Sequence, residues 1–418
     1  MTTQQRWARA GLVRRILLII LFAAGCQTAL AQTQAQAKAK PKAQYQVSTL
    51  PDFGGTSSGG NSINDQSRVS GYSRQLDRNR HATLWRNGAL TDLLTLGGPN
   101  SSVTWNVKNT AGIIVGISQT ATTPEPNGEN WSSAAFYSTP NNVGYINLGF
   151  VWENGAMRRL LPFPGGNNGF ATGANNLGQV VGWAENGVHD PTCCCQSDPG
   201  HQVLQFLPAV WDLGSGDQIH DLPLISGDSS GAATAINDNG QIVGISGICD
   251  QAVGRHTAKH AVLWENGTVT DIYPDAPAPW WNTPTAINQH GDVVGFAGDS
   301  TDVEGNILHA FIWTKDNGIQ VLKPLRGRVP QHVDSEAYGI NEAGQVVGVS
   351  CAADQVDCRA VIWNHGVYPT DLNDPDLKGS YSGFLASAKD INNKGEITGR
   401  AIDPNTSALI AYLAVPVQ

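Results

Sequence analysis

One phrase, INDNGQIVG at residues 236–244, is written seven times along this chain. Its variants are INDQSRVSG from Ile63, NTAGIIVG from Asn109, NNLGQVVG from Asn175, INQHGDVVG from Ile287, INEAGQVVG from Ile340 and INNKGEITG from Ile391. In every copy an Asn stands seven residues before a Gly: Asn64/Gly71, Asn109/Gly116, Asn175/Gly182, Asn237/Gly244, Asn288/Gly295, Asn341/Gly348 and Asn392/Gly399. Catalytic residues need to occur once. A phrase repeated at a near-constant period is architecture, and it overrides the two or three domains that length alone would suggest.

Each repeat reads as four strands. A run of small and β-prone residues ends in Ile-Asn. The N-x-x-G that follows places Asn first and Gly fourth in a type I turn. A second strand, x-V-V-G, follows. A third ends on Trp85, Trp152, Trp211, Trp264, Trp313 or Trp363, with Tyr412 in the last copy. After the Trp, W-[RE]-N-G at Trp85, Trp152 and Trp264 marks a two-residue hairpin into a fourth strand such as ALTDLLTLGG at 89–98. Seven such units, 45 to 66 residues apart, predict an all-β chain: a seven-bladed β-propeller of four-stranded antiparallel blades. Hairpins this small must stack to bury both faces, so the Trp is expected between blades and the periodic Gly at a crowded backbone position. YQVSTLPDFGG at 45–55 aligns with the fourth-strand segments, whereas the last repeat stops after its third strand, ALIAYLAVPV. The last blade is therefore predicted to be closed by the N-terminal strand, which removes an open edge.

Four arginines precede the apolar run ILLIILFAA at 16–24, and Ala29-Leu30-Ala31 offers a cleavage site, so residues 1–31 read as a signal peptide. The rival reading is a lipoprotein anchored at Cys26, in the lipobox-like Ala23-Ala24-Gly25-Cys26. Residues 32–44 read as a flexible Gln/Ala/Lys tether, and 45–418 as one propeller domain. Either route predicts export, to the periplasm or beyond. Of 26 basic residues 19 lie from Tyr45 onward, with all 35 acidic ones, leaving that domain a net charge of −16. So acidic a body repels phosphate backbones, and nucleic acid is not an expected partner. Charged residues are only 15% of the chain, as in many exported all-β proteins.

The ordered phrases AIN-x-x-G-x-VVG … HAFLW … DLGxLGG resemble the HAF repeat family of bacterial extracellular proteins across residues 45–418. The resemblance implies secretion and a propeller-like fold; it carries no catalytic residues. Ser67, in place of the first turn's Gly, and Leu148 and Leu207, in place of His, depart from the pattern.

The short turns fall at one end of the blades and the long insertions at the other: 118–149, 184–207, 246–259, 297–308 and 272–284. Function is expected on the long-loop face. His81, His260 and His309 share one position, with Arg359 equivalent, and Asp92, Asp221, Asp271 and Asp371 are equally periodic. Both sets read as hairpin braces. No G-x-S-x-G elbow, HExxH or Walker loop occurs, and Asp302-Val303-Glu304-Gly305-Asn306 reads as a solvated acidic turn lacking calcium-loop ligands. No catalytic residue, metal or cofactor is assigned. Six cysteines remain besides Cys26, all in second-to-third-strand connections. Cys351 with Cys358, and Cys249 with one of Cys193, Cys194 or Cys195, read as disulfides; a soft-metal site at the CCC run with His189 and His201 is the competing reading. Trp131, Trp280, Trp281 and Trp105 lie outside the repeat. Trp105 replaces a small residue of an inner strand, where it would narrow the channel. These four are the candidate ligand-binding residues, because Trp faces serve sugar rings and protein contacts alike.

The expected function is an exported, non-catalytic binding or interaction scaffold, its partner a polysaccharide or an envelope protein. An enzyme acting on glycans is the alternative. It would gather non-periodic acids and His at the channel, whereas Glu125, Glu129, Asp299 and Asp302 look scattered in peripheral loops. A purely structural role in a surface assembly is a third reading.

Overall fold

The computed structural model describes residues 44–129, 136–137, 144–193, 202–249, 257–276, 281–299 and 307–417. The expectations for residues 1–31, the tether up to residue 43, Cys26, Trp131, Trp280, Cys194, Cys195, His201 and 302–306 lie outside the described residues. The described chain forms seven four-stranded antiparallel sheets, one per repeat. Blades 1 to 6 occupy residues 58–92, 97–159, 169–221, 230–271, 283–322 and 332–371 in chain order. Blade 7 is composite. Its outermost strand is Tyr45–Thr49, paired with Leu409–Pro416 from Tyr45 opposite Pro416 to Thr49 opposite Tyr412. Blade 7 packs against blade 1, so the ring closes as a seven-bladed β-propeller.

The recurring Asn does two jobs. Its Oδ1 accepts backbone N–H groups inside its own turn: in blade 4, Asn237 takes those of Asn239 and Gln241 at 3.1 and 3.0 Å. Its Nδ2 donates to the main chain of the next blade. Asn64 reaches Asn109 O, Asn175 reaches Asn237 O, Asn237 reaches Asn288 O, and the series continues through Asn341 to Asn392. Asn392 then donates to Asn64 O at 3.0 Å and completes the circle. Only Asn109 departs, reaching Ala174 O one residue early. A carboxamide carries its acceptor and its donors on separate atoms, so one short side chain serves both roles at once. Buried backbone groups that a turn would leave orphaned are thereby paired. The fourth turn residue has positive φ in every blade, and Ser67 adopts it at 58° where the others use Gly.

The Gly seven residues on is sterically forced. A Cβ at Gly182 would lie 1.8 Å from Phe170 O, and one at Gly244 2.0 Å from Ala232 O. The same contact, at 1.9 to 2.2 Å, recurs at Gly71, Gly116, Gly295, Gly348 and Gly399. Opposite most of these glycines the inner strand carries a bulge, as between Ala233 and Ala235. The bulge brings the two backbones together and aims side chains into the channel. Thr172, Thr234 and Thr285, at the bulges of three successive blades, donate to the inner strand of the blade that follows.

The Trp lies between blades. Trp85, Trp211, Trp264 and Trp363 are at most 2% exposed. Each indole N–H donates to a carbonyl just past the outer strand of the preceding blade, at Pro51, Leu161, Pro223 and Lys323. Burying so large a ring stabilises the stack, and the hydrogen bond fixes its tilt.

Candidate functional site

The two ends of the channel differ. At the short-turn end the Asn ring is surrounded by a second ring of side chains at the next residue. Asn176 accepts the Thr110 N–H, Asp238 the Asn176 N–H, Glu342 the Gln289 N–H, and Asp65 the Asn393 N–H. These groups already have partners, which leaves little for a ligand.

At the long-loop end lies a cavity of about 360 Å³. Three positions per repeat supply most of its lining. Five residues before the Asn stand Gly59, Thr104, Phe170, Ala232, Thr283, Glu336 and Ser387; three before it, Asn61, Asn106, Thr172, Thr234, Thr285, Tyr338 and Lys389. Directly after the periodic Gly stand Tyr72, Ile117, Trp183, Ile245, Phe296, Val349 and Arg400. Charged side chains occur at these positions only in blades 6 and 7: Glu336, Lys389 and Arg400. Blades 2, 3 and 5 supply the aromatic part of the wall. Trp105 packs edge-on to Trp183 at 5.2 Å and against Phe136 at 5.3 Å, and Trp281 packs edge-on to Phe296 at 6.0 Å.

The charged sector is buried enough to perturb its groups. Burial drags the Lys389 amine down to about 7, Arg400 adding to the fall and Glu336 opposing it. Its Nζ stands 3.3 Å from the centroid of the Tyr338 ring, whose hydroxyl donates to Glu336 at 2.8 Å. Burial also raises the Glu336 carboxyl, against the pull of Lys389. Arg400 stacks loosely on Tyr72 at 5.4 Å, and its Nε is buried without a hydrogen-bond partner. Arg80 also lies over the Tyr72 ring, 4.0 Å from its centroid, and burial pulls its guanidinium down to about 10.

The cavity has a floor. Trp105 was expected in an inner strand, but that strand ends at Ser102, and the following residues leave the sheet for the channel. Asn106 donates to Tyr338 O of blade 6 at 2.7 Å, and Lys108 pairs with the buried Asp390 of blade 7 at 2.6 Å. These non-neighbouring blades are reached only across the channel. The segment therefore separates the cavity from a smaller pocket at the turn end, lined by Lys108 and the Asn ring. An indole does not fit where other blades place Gly, Ala or Pro against the neighbouring strand, and the Lys108–Asp390 pair anchors the diversion.

Of the four candidate Trp residues, Trp105 and Trp281 line this one cavity. The periodic His and Arg brace hairpins. His81 Nδ1 meets Asp92 at 2.9 Å, His260 meets Asp271 at 2.7 Å and Arg359 meets Asp371 at 3.2 Å, each joining third and fourth strands. His309 differs, using Nε2 on Asp299 at 2.7 Å. Two disulfides are formed, Cys193–Cys249 and Cys351–Cys358, the first linking the long loops of blades 3 and 4. They indicate an oxidising compartment.

The scattered-acid expectation is corrected for two residues. Glu125 and Glu129 converge with Glu185, all buried, with oxygen atoms within 4.8 Å of one another. The 184–207 insertion begins as strand, since Gln179–His189 is one continuous element, and this carries Glu185 inward. Burial, then the Glu129 charge, holds Glu185 well above the usual carboxylate range, and burial raises Glu125 and Glu129 too. Backbone N–H groups of Val203 and Leu204 bind Glu129, and those of Asn167 and Asn168 bind Glu185. Once deprotonated, these are the described carboxylates able to hold a divalent cation together; protonated, they tie the insertions of blades 2 and 3.

No protein-family model and no curated protein matches the sequence. Solved structures do match in fold. Virginiamycin B lyase from Staphylococcus aureus is 9% identical over 89% of this chain and 100% of its own, with a TM-score of 0.50. The β-propeller domain of the Trilobed protease from Pyrococcus furiosus is 8% identical over 89% of this chain and 93% of its own, with a TM-score of 0.47. At such identities the likeness is one of fold alone. Among the described residues no helix is long and apolar enough to cross a membrane.

Proposed function

We propose that the protein is an exported, non-catalytic binding scaffold that takes its ligand into the cavity at the long-loop end of the channel. One observation carries this reading: the channel-facing positions are small, polar or apolar in most blades, yet charged groups gather in two adjacent blades of a cavity that others line with aromatic rings. Concave, mostly apolar sites with a few convergent polar groups are the usual form of a ligand pocket. From the repeated phrases we also infer a HAF-repeat protein that leaves the cytoplasm behind a signal peptide or a Cys26 anchor, with an envelope or extracellular glycan or protein as partner. Because Trp105, Trp183 and Trp281 line the cavity, intrinsic fluorescence reads binding directly. In a screen of soluble polysaccharides and envelope fractions, a binder should lose about 2 kcal/mol or more with Trp281→Ala, as buried aromatic anchors do. Binding untouched by Trp281→Ala and Trp105→Ala, yet abolished by changes in the Trp363-Asn364-His365-Gly366 turn, would reverse the assignment of faces.

The enzyme alternative also has support in one place. An amine held near 7 beside a tyrosine and a glutamate is suited to proton transfer. Glycan cleavage that disappears with Lys389→Met, while ligand still binds, would favour it over the scaffold.

A further inference from the structure

We propose that this cavity selects an organic anion, a ring compound carrying one carboxylate, with the carboxylate on Arg400 and Lys389 and the ring against Trp281 and Trp105. The inference rests on the ligand-binding reading above and adds the chemical class.

Arg400 and Lys389 both line the cavity. Among the described residues, the Arg400 side chain forms no ion pair or hydrogen bond; it lies over the Tyr72 ring and close enough to Lys389 to feel its charge. Guanidinium donors are rarely left without acceptors in a partly desolvated site, because each unmet donor there costs free energy. Glu336 is engaged by the Tyr338 hydroxyl and sits beside Lys389, so Arg400 is left without a counter-ion among the described residues. This occurs inside a domain whose net charge is strongly negative.

The protein also makes room for that guanidinium. A Cβ on Gly59 would lie 2.9 Å from Arg400 Nε and 2.9 Å from the Tyr72 ring. Glycine in a strand interior is less favourable than alanine, and here it accommodates the Arg400 stem. Arg400 itself stands where the other six repeats place Tyr, Ile, Trp, Ile, Phe and Val. A planar guanidinium matches a carboxylate in a two-point geometry, with Lys389 as a second donor. Asn61 and Thr285 add an amide and a hydroxyl to the cavity lining. They suit a ring with polar edges and an apolar face. A volume of about 360 Å³ admits one or two rings.

Two sources share this chemistry, sugar acids and aromatic acids. D-glucuronate against D-glucose and benzoate against benzamide separate them, titrated into the disulfide-intact protein by calorimetry and tryptophan fluorescence. One acid should bind at least about tenfold tighter than its neutral counterpart. Arg400→Met should erase that ratio while leaving neutral binding within about twofold and the melting temperature unchanged, whereas Trp281→Ala should weaken acid and neutral forms alike. Equal binding of acid and neutral forms, or a ratio that survives Arg400→Met, overturns the anion inference while the cavity reading stands. No binding by any of the four probes also overturns the anion inference, while the cavity reading is decided separately by the polysaccharide and envelope screen.

Discussion

The two ends of the channel are built from the same seven repeats and teach opposite lessons. At the turn end each blade contributes the same Asn, and six of those seven side chains reach the next Asn carbonyl. At the long-loop end the equivalent positions differ from blade to blade, and charge collects in blades 6 and 7 alone. Repetition marks what holds the ring together, and departures from it mark what the ring can bind. Substitutions at the turn end should therefore change stability and spare binding, while those in the cavity should do the reverse.

The largest effect should come from the seam. Deleting Tyr45–Leu50 strips blade 7 of its outer strand and frees the chain just before Pro51, whose carbonyl accepts from Trp85. A loss of several kcal/mol with aggregation from the exposed edge is expected, read by thermal melting and light scattering; a truncated protein that melts normally would show that the ring closes without its clasp. Next, Gly182→Ala drives a methyl group into Phe170 O. About 3 kcal/mol should be lost, within the range of forced backbone clashes, with cavity binding retained in the folded fraction.

Reducing Cys351–Cys358, which closes a loop of seven residues' separation, should remove about 2–3 kcal/mol. Alkylation of the unfolded, non-reduced protein tests the bond itself, since labelling at both positions would disprove it. Asn237→Ala should cost about 2 kcal/mol by orphaning two turn N–H groups and the Asn288 carbonyl. If it also impaired ligand binding at constant stability, the division between the two ends would fail.

The smallest effect concerns pH. Glu125, Glu129 and Glu185 have folded-state pKa values raised above the ordinary value of 4.5, so the folded state holds more protons than the unfolded one. Their contribution is thus most favourable at low pH and is lost as pH climbs from about 4.5 through the raised values. Glu129→Gln should gain stability relative to the parent protein progressively over that climb, and a constant difference at all pH values would contradict the raised titration.

Much of the fold was legible because its signals are local. Asn-x-x-Gly, Asn-Gly after Trp, and a Gly of fixed spacing each specify a turn or a close approach within a few residues. The cavity's signal was present but faint: Arg400 and Lys389 break the periodic pattern at positions whose inward direction becomes evident only with the bulge. Trp105 was legible as an exception, and its crossing of the channel was not, because the partners that draw it over are Tyr338 and Asp390, more than 200 residues away. Glu185 escaped notice because it lies only three residues after the periodic Gly182, at the start of an insertion, and looks like a surface acid there.

By itself, then, the sequence determined the number of blades, the four-strand unit, the turn chemistry and the strand that closes the ring. All of these follow from short-range backbone geometry repeated seven times. Tertiary structure decided which departures from the repeat meet. Closing a circle sets blades 2, 3 and 5 around one channel with blades 6 and 7, so that Trp105 and Trp281 share a cavity with Lys389 and Arg400, and it lets two insertions bury Glu125, Glu129 and Glu185 together. Distance across a ring depends on its curvature and loop paths, which no spacing along the chain encodes.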